Sequence, residues 1–169
     1  MSEILTLQNI RYSYPKSKTE VLKGITCSFE TGKLYCIMGK SGAGKSTLLA
    51  MLAGLDRPTE GRIFFDHADT AALDRDLYRS QKVGVIFQSY NLLQNASAVE
   101  NIVLSMNISH SKQENKKEFA CRLLEKVGIC REKAGRVVLR LSGGEQQRVV
   151  IGMILDEPGG KVIGIKLLG

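Results

Sequence analysis

The sequence predicts an α/β fold in which a mostly parallel sheet is flanked by helices. Short apolar runs typical of buried strands alternate with segments whose apolar residues recur at helical spacing. One such run, 34–38, is followed by a glycine-rich loop and then by residues 46–54, where the large apolar side chains share one helical face. A strand, a loop and a helix in this order form the unit from which α/β cores are built.

Further strands are predicted on both sides of that unit. Residues 3–10 and 21–29 carry closely spaced or nearly alternating apolar side chains, and the second run ends at the turn Thr31-Gly32. Past the glycine-rich loop, the predicted elements are, in order, a short strand at 62–66, a helix at 70–80 and a buried strand at 83–87.

Two helices are predicted after this buried strand. Ser97 and Glu100 have the spacing of a capping box, and the apolar residues behind them share one helical face. Residues 113–127 repeat the helical spacing and are closed by Gly128. Strand-like sequence flanks this block, so we interpret it as an insert in the α/β core.

Composition and charge exclude several classes of function. The net charge is +7, but the basic residues are scattered, so no direct nucleic-acid partner is expected. The apolar stretch 149–155 is far too short to span a bilayer, and the N-terminus lacks the pattern of a signal peptide. The four cysteines show no C-x-x-C spacing, so we expect free thiols rather than metal ligands.

The glycine-rich loop carries the first chemical motif. Residues from Gly39 to Ser46 match G-x-x-x-x-G-K-[ST], the P-loop pattern. Its glycines let consecutive backbone N–H groups point at phosphate oxygens, and the following helix N-terminus adds partial positive charge. Lys45 can reach the β- and γ-phosphates, and the Ser46 hydroxyl can ligate Mg²⁺. The motif therefore predicts binding of a nucleoside triphosphate together with Mg²⁺.

The second motif is the stretch Leu-Ser-Gly-Gly-Glu-Gln-Gln-Arg at 141–148. Ser142 and Glu145 have the spacing of a capping box, which predicts a helix N-terminus here. A glycine-rich, capped helix N-terminus is also an anion site, so the structural and functional interpretations do not compete.

Together the two motifs resemble those of the nucleotide-binding domain of ABC transporters, most closely the lipoprotein-release and macrolide-efflux type. Similar phrases stand at 21–25, 54–59 and 87–93, and the resemblance covers residues 3–151 and then Asp156-Glu157-Pro158. The resemblance implies a P-loop NTPase core with an antiparallel β subdomain and an inserted helical subdomain, incomplete at the C-terminus.

We predict a single domain over residues 1–169. Its β and P-loop core comprises 1–88 and 141–169, and its helical subdomain comprises 89–140. By resemblance, residues 89–110 face a transmembrane permease subunit. The protein is then expected to be cytoplasmic and peripheral on the inner face of the cell membrane.

The resemblance also implies how ATP is held. Tyr14 stacks on the adenine, with Tyr12 as the alternative. The residues implied to surround the phosphates are Gly39, Ser41, Gly42, Ala43, Gly44, Lys45, Ser46 and Thr47. The γ-phosphate is contacted from the opposite subunit of a head-to-tail homodimer by Ser142, Gly143 and Gly144.

The residues implied to act in hydrolysis come from three places in the chain. Gln88 contacts Mg²⁺ and the attacking water, and Glu157 is the general base that polarises this water. Lys45 completes the implied catalytic set. The implied Mg²⁺ ligands are Ser46, Gln88 and Asp156.

The C-terminal part departs from the family pattern. Asp156 follows Arg148 by only eight positions, and in this interval the family has the rest of a helix, a loop and a strand. Residues 149–155 can continue the helix or form the strand, but both do not fit. A last strand is predicted at 162–168, pairing as a hairpin or with a distant edge, and no switch histidine follows the second motif.

Three functions remain open from the sequence. The leading one is the ATP-binding and ATP-hydrolysing subunit of an ABC transporter, with hydrolysis impaired in this chain. The second is a nucleotide-binding or interaction module that does not hydrolyse ATP. The third is a soluble ABC-type ATPase that acts outside transport.

Overall fold

The computed structural model forms two compact units, Met1–Arg79 and Ser80–Gly169. The residues that the structure describes are 2–17, 19–86, 89–155 and 163–166. Each unit contains one sheet. The predicted division into 1–88 with 141–169 and into 89–140 stays a prediction.

Four antiparallel strands form the sheet of the first unit. They are β1 (Glu3–Ser13), β2 (Glu20–Glu30), β3 (Glu60–Phe65) and β4 (Ala68–Asp69). Their order is β2-β1-β3-β4, so β1 pairs with both β2 and β3. The strands predicted near residues 3–10, 21–29 and 62–66 are confirmed.

Two helices complete the first unit. They are α1 (Lys45–Leu52) and α2 (Arg75–Gln81), and the boundary between the units falls within α2. The helix predicted at 70–80 starts later because the Asp74 carboxylate accepts hydrogen bonds from the backbone N–H groups of Asp76 and Leu77. The core of this unit buries one face of the sheet and of α1, including Leu5, Leu7, Ile10, Leu22, Ile63, Leu48 and Met51.

The segment 34–38 contradicts the sequence prediction. It was expected to be a buried strand, but it adopts no regular structure, and Leu34 is fully exposed while Met38 is 85% exposed. Among the described residues, no strand pairs with it. An apolar run favours burial, but a strand also needs hydrogen bonds from a neighbouring segment. The sequence of the run itself does not show whether such a segment is present.

Helices dominate the second unit. They are α3 (Ala98–Ile108), α4 (Lys116–Lys126), α5 (Arg131–Ala134) and α6 (Gly143–Leu155), with a 3₁₀ turn at Val138–Arg140. Their apolar faces meet in one core whose fully buried members include Ile102, Met106, Leu124, Ile129 and Val149. The predicted capping box of Ser97 and Glu100 is present at α3, and Gly128 follows α4 with a φ of 79°. Both helix predictions are therefore confirmed.

The ambiguous stretch 149–155 is helical, because α6 runs without interruption to Leu155. The remaining strands of this unit are β5 (Val83–Ile86) and β6 (Ile163–Lys166), which pair in parallel. The last strand therefore forms within the predicted range and joins an edge distant in sequence. An added Cβ at Gly84 would lie 2.6 Å from Ile154, so a glycine lets α6 approach β5 closely.

Candidate nucleotide-binding site

The P-loop turns on two glycines with left-handed backbone conformations. Gly42 has a φ of 79° and Gly44, the N-cap of α1, a φ of 85°. An added Cβ at Gly44 would lie 2.8 Å from Leu22 Cδ2 and 3.0 Å from Val21 Cγ1. Only glycine therefore satisfies both the backbone angle and the packing of β2 against the loop.

The Lys45 side chain is hydrogen-bonded to the backbone of its own loop. Its ammonium donates to the carbonyl oxygens of Gly39 at 2.7 Å and Lys40 at 3.0 Å. The backbone N–H of Ala43 also donates to the Lys40 carbonyl, at 3.2 Å. These bonds hold the positive charge of Lys45 against the backbone of the P-loop.

The start of α1 differs from those of α3 and α4, which side chains cap. Among the described residues, no side chain caps its N-terminus, and its first turn contains no acidic residue. The first N–H groups of any helix have no partner within the helix and carry partial positive charge. At α3 a Ser-Glu capping box satisfies such groups. The donors of α1 and the charge of Lys45 therefore fit a phosphate group.

Tyr14 is joined to the P-loop helix by a hydrogen bond. Its hydroxyl lies 2.7 Å from Thr47 Oγ1, and either oxygen can donate. Thr47 is buried in α1, whereas Tyr14 is 50% exposed, so the ring keeps a solvent-facing surface beside the loop. An exposed aromatic face next to a phosphate site suits stacking on a base.

The second motif starts α6, as predicted. The Ser142 hydroxyl accepts from the Glu145 backbone N–H at 3.3 Å, and the Glu145 carboxylate accepts from the Ser142 backbone N–H at 2.9 Å. Lys133 donates to the same carboxylate at 2.6 Å. The hydrogen bond from Lys133 is the largest cause, and those from Ser142 come next, that lower the pKa of Glu145 to about 2.

Gly143 and Gly144 are exposed at this helix start. An added Cβ at Gly143 would meet no atom of the described residues within 4 Å, and one at Gly144 would meet only Arg148 Nη1, at 3.9 Å. Neither glycine has a positive φ. The fold of the described residues therefore gives no reason for glycine at these two positions.

Three predicted site residues, Gln88, Asp156 and Glu157, lie outside the described residues. The structure brings Tyr14 and the P-loop residues 39–47 together in the first unit. Ser142, Gly143 and Gly144 lie together in the second unit.

Comparison with known proteins decides the family. The model of the ABC transporter family matches residues 22–159. YclH of Bacillus subtilis, described as an uncharacterized ABC transporter ATP-binding protein, is 39% identical in an alignment 168 residues long that covers 94% of this chain and 74% of YclH. The chain belongs to the ABC transporter family.

Two further relatives refine this assignment. The lipoprotein-releasing system ATP-binding protein LolD of Aquifex aeolicus is 39% identical over 162 residues, covering 94% of this chain and 71% of LolD. A dimeric structure of the ATP-binding cassette MJ0796, described as a post-hydrolysis state bound to ADP and Pi, matches with a TM-score of 0.81 and 26% identity, covering 98% of this chain and 88% of that one. The predicted family, the resemblance to its lipoprotein-release and macrolide-efflux type, and the fold class are confirmed.

At the level of the family, the predicted function is confirmed as well: the chain is an ABC transporter ATP-binding subunit, and by resemblance an ABC-type ATPase. None of the helices within the described ranges is both long and apolar enough to cross a membrane.

Sequence reasoning missed three partners in this cassette. Thr47 binds the Tyr14 hydroxyl, Asp56 accepts from Tyr12, and Lys133 pairs with Glu145. The separations along the chain are 33, 44 and 12 residues. No local pattern connects residues so far apart, although Asp56 stands in a phrase that the family resemblance had already marked.

Proposed function

We propose that this cassette binds Mg-ATP at residues 39–47 and uses it to drive a membrane permease. The observation that carries the proposal is the uncapped N-terminus of α1 beside Lys45, in a chain of the ABC transporter family. Uncapped N–H groups and a lysine ammonium form a site for the β- and γ-phosphates.

The P-loop residues have separate tasks in this proposal. Lys45 exchanges its bonds to the Gly39 and Lys40 carbonyls for phosphate oxygens, and the backbone of 41–47 donates N–H groups to the phosphates. The Ser46 hydroxyl would hold Mg²⁺ together with Gln88 and Asp156, and the ion would supply charge neutralisation. Tyr14 offers its exposed ring to the adenine.

Hydrolysis requires a base and a positioned water. We assign these tasks to Glu157 and Gln88, because the family resemblance places an acidic residue and a glutamine there. Phosphoryl transfer depends on positioning and electrostatic stabilisation, so small displacements of these groups slow the reaction strongly.

The second motif acts on ATP held by another copy of the chain. Gly143 and Gly144 are exposed, and the described fold does not require them to be glycine. Glycine at a helix start permits close approach of a phosphate to the backbone. We therefore assign Ser142, Gly143 and Gly144 to the γ-phosphate of a partner subunit in a head-to-tail homodimer.

The permease contact is assigned to residues 89–110. This stretch exposes Leu93, Leu104 and Ile108, each at least 40% accessible. Exposed apolar side chains grouped on one segment mark interaction surfaces. A cassette docked there is a cytoplasmic protein held at the inner face of the membrane.

One observation favours a second function, a nucleotide-binding module with little or no hydrolysis. Helix α6 continues to Leu155, directly before Asp156. The strand expected to present the acidic pair therefore does not precede it, and we expect turnover below that of ordinary family members.

The test is Mg-ATP binding to the purified chain, followed with a fluorescent nucleotide. Lys45→Ala should abolish binding, because it removes the charge that faces the phosphates. Lys112→Ala, on an exposed loop of the other unit, is the matched control and should bind normally. Binding that survives Lys45→Ala would exclude the proposed site, and phosphate release measured on the same sample separates the two functions.

A further inference from the structure

Tyr14 is the third member of a chain of four side chains in the first unit. The Tyr12 hydroxyl donates to Asp56 Oδ2 at 2.5 Å, and the rings of Tyr12 and Tyr14 meet edge to face with centroids 5.1 Å apart. The Tyr14 hydroxyl lies 2.7 Å from Thr47 Oγ1. The order is therefore Asp56, Tyr12, Tyr14 and Thr47.

Tyr12 is fixed, whereas Tyr14 is free on one side. The exposed fraction of Tyr12 is 6%, and that of Tyr14 is 50%. An edge-to-face pair is an energetically preferred arrangement of aromatic rings. The buried ring of Tyr12 therefore forms one wall against which the ring of Tyr14 is oriented.

Asp56 holds Tyr12 from a well-anchored loop. Its second carboxylate oxygen, Oδ1, accepts from the Arg57 backbone N–H at 2.8 Å. The Thr59 backbone N–H donates to the Arg11 carbonyl at 2.9 Å, and Thr59 Oγ1 accepts from the Ser13 N–H at 3.1 Å. These bonds join the loop to the end of β1 on both sides of Tyr12, so the carboxylate has a defined position.

The hydroxyl of Tyr12 is a permanent donor. Its hydrogen bond to Asp56 is the main cause, and burial the second, that raises the pKa of Tyr12 to about 12. The hydroxyl therefore stays protonated at neutral pH, and a hydrogen bond to a charged acceptor is among the stronger ones in proteins.

We propose that Tyr12 and Asp56 are positioning residues that orient the ring of Tyr14, and that the Tyr14–Thr47 hydrogen bond ties this ring to the phosphate loop. Base stacking and phosphate binding are thereby held in one fixed geometry. The inference rests on the proposed function, in which Tyr14 contacts the adenine and residues 39–47 contact the phosphates.

Two ligands distinguish this role from general support of the fold. ATP carries both a base and phosphates, whereas inorganic tripolyphosphate carries phosphates alone. Each displaces a fluorescent nucleotide from the full chain in a competition measurement. Tyr12→Phe, which keeps the ring and removes the hydroxyl, should weaken ATP binding about three- to tenfold, the range of one ordinary hydrogen bond, because this bond acts on ATP only through the orientation of Tyr14. Tripolyphosphate binding should not change.

The loop side of the pair provides a second variant, because Asp56 is exposed and its replacement leaves no cavity. Asp56→Ala should reproduce the loss of ATP affinity, and Asp56→Asn, which keeps an acceptor oxygen, should restore most of it. Tyr35→Phe is the matched control: it removes a hydroxyl that accepts from the Glu30 backbone N–H, away from these four side chains. It should leave both affinities unchanged.

A double substitution tests whether Tyr12 acts through Tyr14. In a Tyr14→Ala background, Tyr12→Phe should cause no further loss of ATP affinity, because residues acting through one another are not additive. An equal loss for ATP and tripolyphosphate, an additive loss, or no loss in Tyr12→Phe would each overturn the inference. If Lys45→Ala still binds both ligands, the proposed function itself fails, so the two failures are distinguishable.

Discussion

Glu145 accepts hydrogen bonds from Ser142 and from Lys133 at the start of α6. The same carboxylate therefore caps the helix and neutralises a lysine of α5. Its side chain is only 13% exposed, which leaves little room for water to replace these partners. The hydrogen bonds of Glu145 to Ser142 and Lys133 therefore stabilise the N-terminus of α6. The adjacent Gly143 and Gly144 remain exposed to a ligand.

The pKa of Glu145 leads to a prediction about acid stability. Its pKa falls from the usual 4.5 to about 2 in the folded chain, so folding favours the ionised form. The stabilisation is fully present above pH 4.5 and is lost as the pH falls toward 2. We expect the free energy of unfolding, measured by urea denaturation, to decline over this range and Glu145→Gln to flatten the decline.

Glu132→Gln is the control for this measurement. Glu132 pairs with Arg136 on the surface and is 77% exposed, so solvent screens the pair. The variant should keep the slope of the parent chain. An unchanged slope in Glu145→Gln would show that other groups cause the acid sensitivity.

At the scale of the elements, the segment 34–38 and helix α6 show that a local apolar pattern does not by itself decide which structure forms. Both contain apolar runs that suit a buried strand. Residues 149–155 extend a helix already begun by the capped motif at 142–145, and elongating a helix costs less than starting a new element. Residues 34–38 have no such support, and no described strand pairs with them.

Hydrogen exchange tests the state of the segment 34–38. Its backbone amides should exchange rapidly, because the pairing bonds of a strand do not protect them. The amides of β1, which pairs with strands on both sides, are the internal reference and should exchange slowly. Exchange is measured by mass spectrometry of peptides. If the amides of 34–38 were protected as strongly as those of β1, the segment would form a strand in solution.

For the whole molecule, the two motifs belong to separate compact units, each with its own core. The P-loop site is organised by β1, β2 and α1, and the second motif by α5 and α6. In the proposed head-to-tail dimer, each half of the nucleotide site therefore comes from a different unit. If the P-loop and the second motif act on the same ATP, that activity belongs to the assembled dimer and not to either motif alone.

Dimer formation gives the prediction at this scale. Gly144→Ala should not destabilise the monomer, because alanine favours helices and an added Cβ has room. In the proposed head-to-tail dimer the same Cβ blocks close approach to the γ-phosphate. Sedimentation with a non-hydrolysable ATP analogue should therefore show dimers for the parent chain and at least tenfold weaker association for the variant, which corresponds to about 1.4 kcal/mol.

Lys126→Ala is the companion control, since Lys126 lies in the last turn of α4, away from the second motif along the chain. It should dimerise as the parent does. Dimers of equal strength in Gly144→Ala would remove Gly144 from the interface.

The sequence by itself determined the family, the P-loop, the helix caps and most of the elements. These features are local: the left-handed glycines, the Ser-Glu boxes and the strand and helix periodicities need only near neighbours. Tertiary structure decided what pairs across the chain. It left 34–38 unpaired with any strand of the described ranges, continued α6 to Leu155, and brought Asp56 to Tyr12 and Thr47 to Tyr14. Such contacts depend on which distant segments meet, and no pattern of near neighbours contains that information.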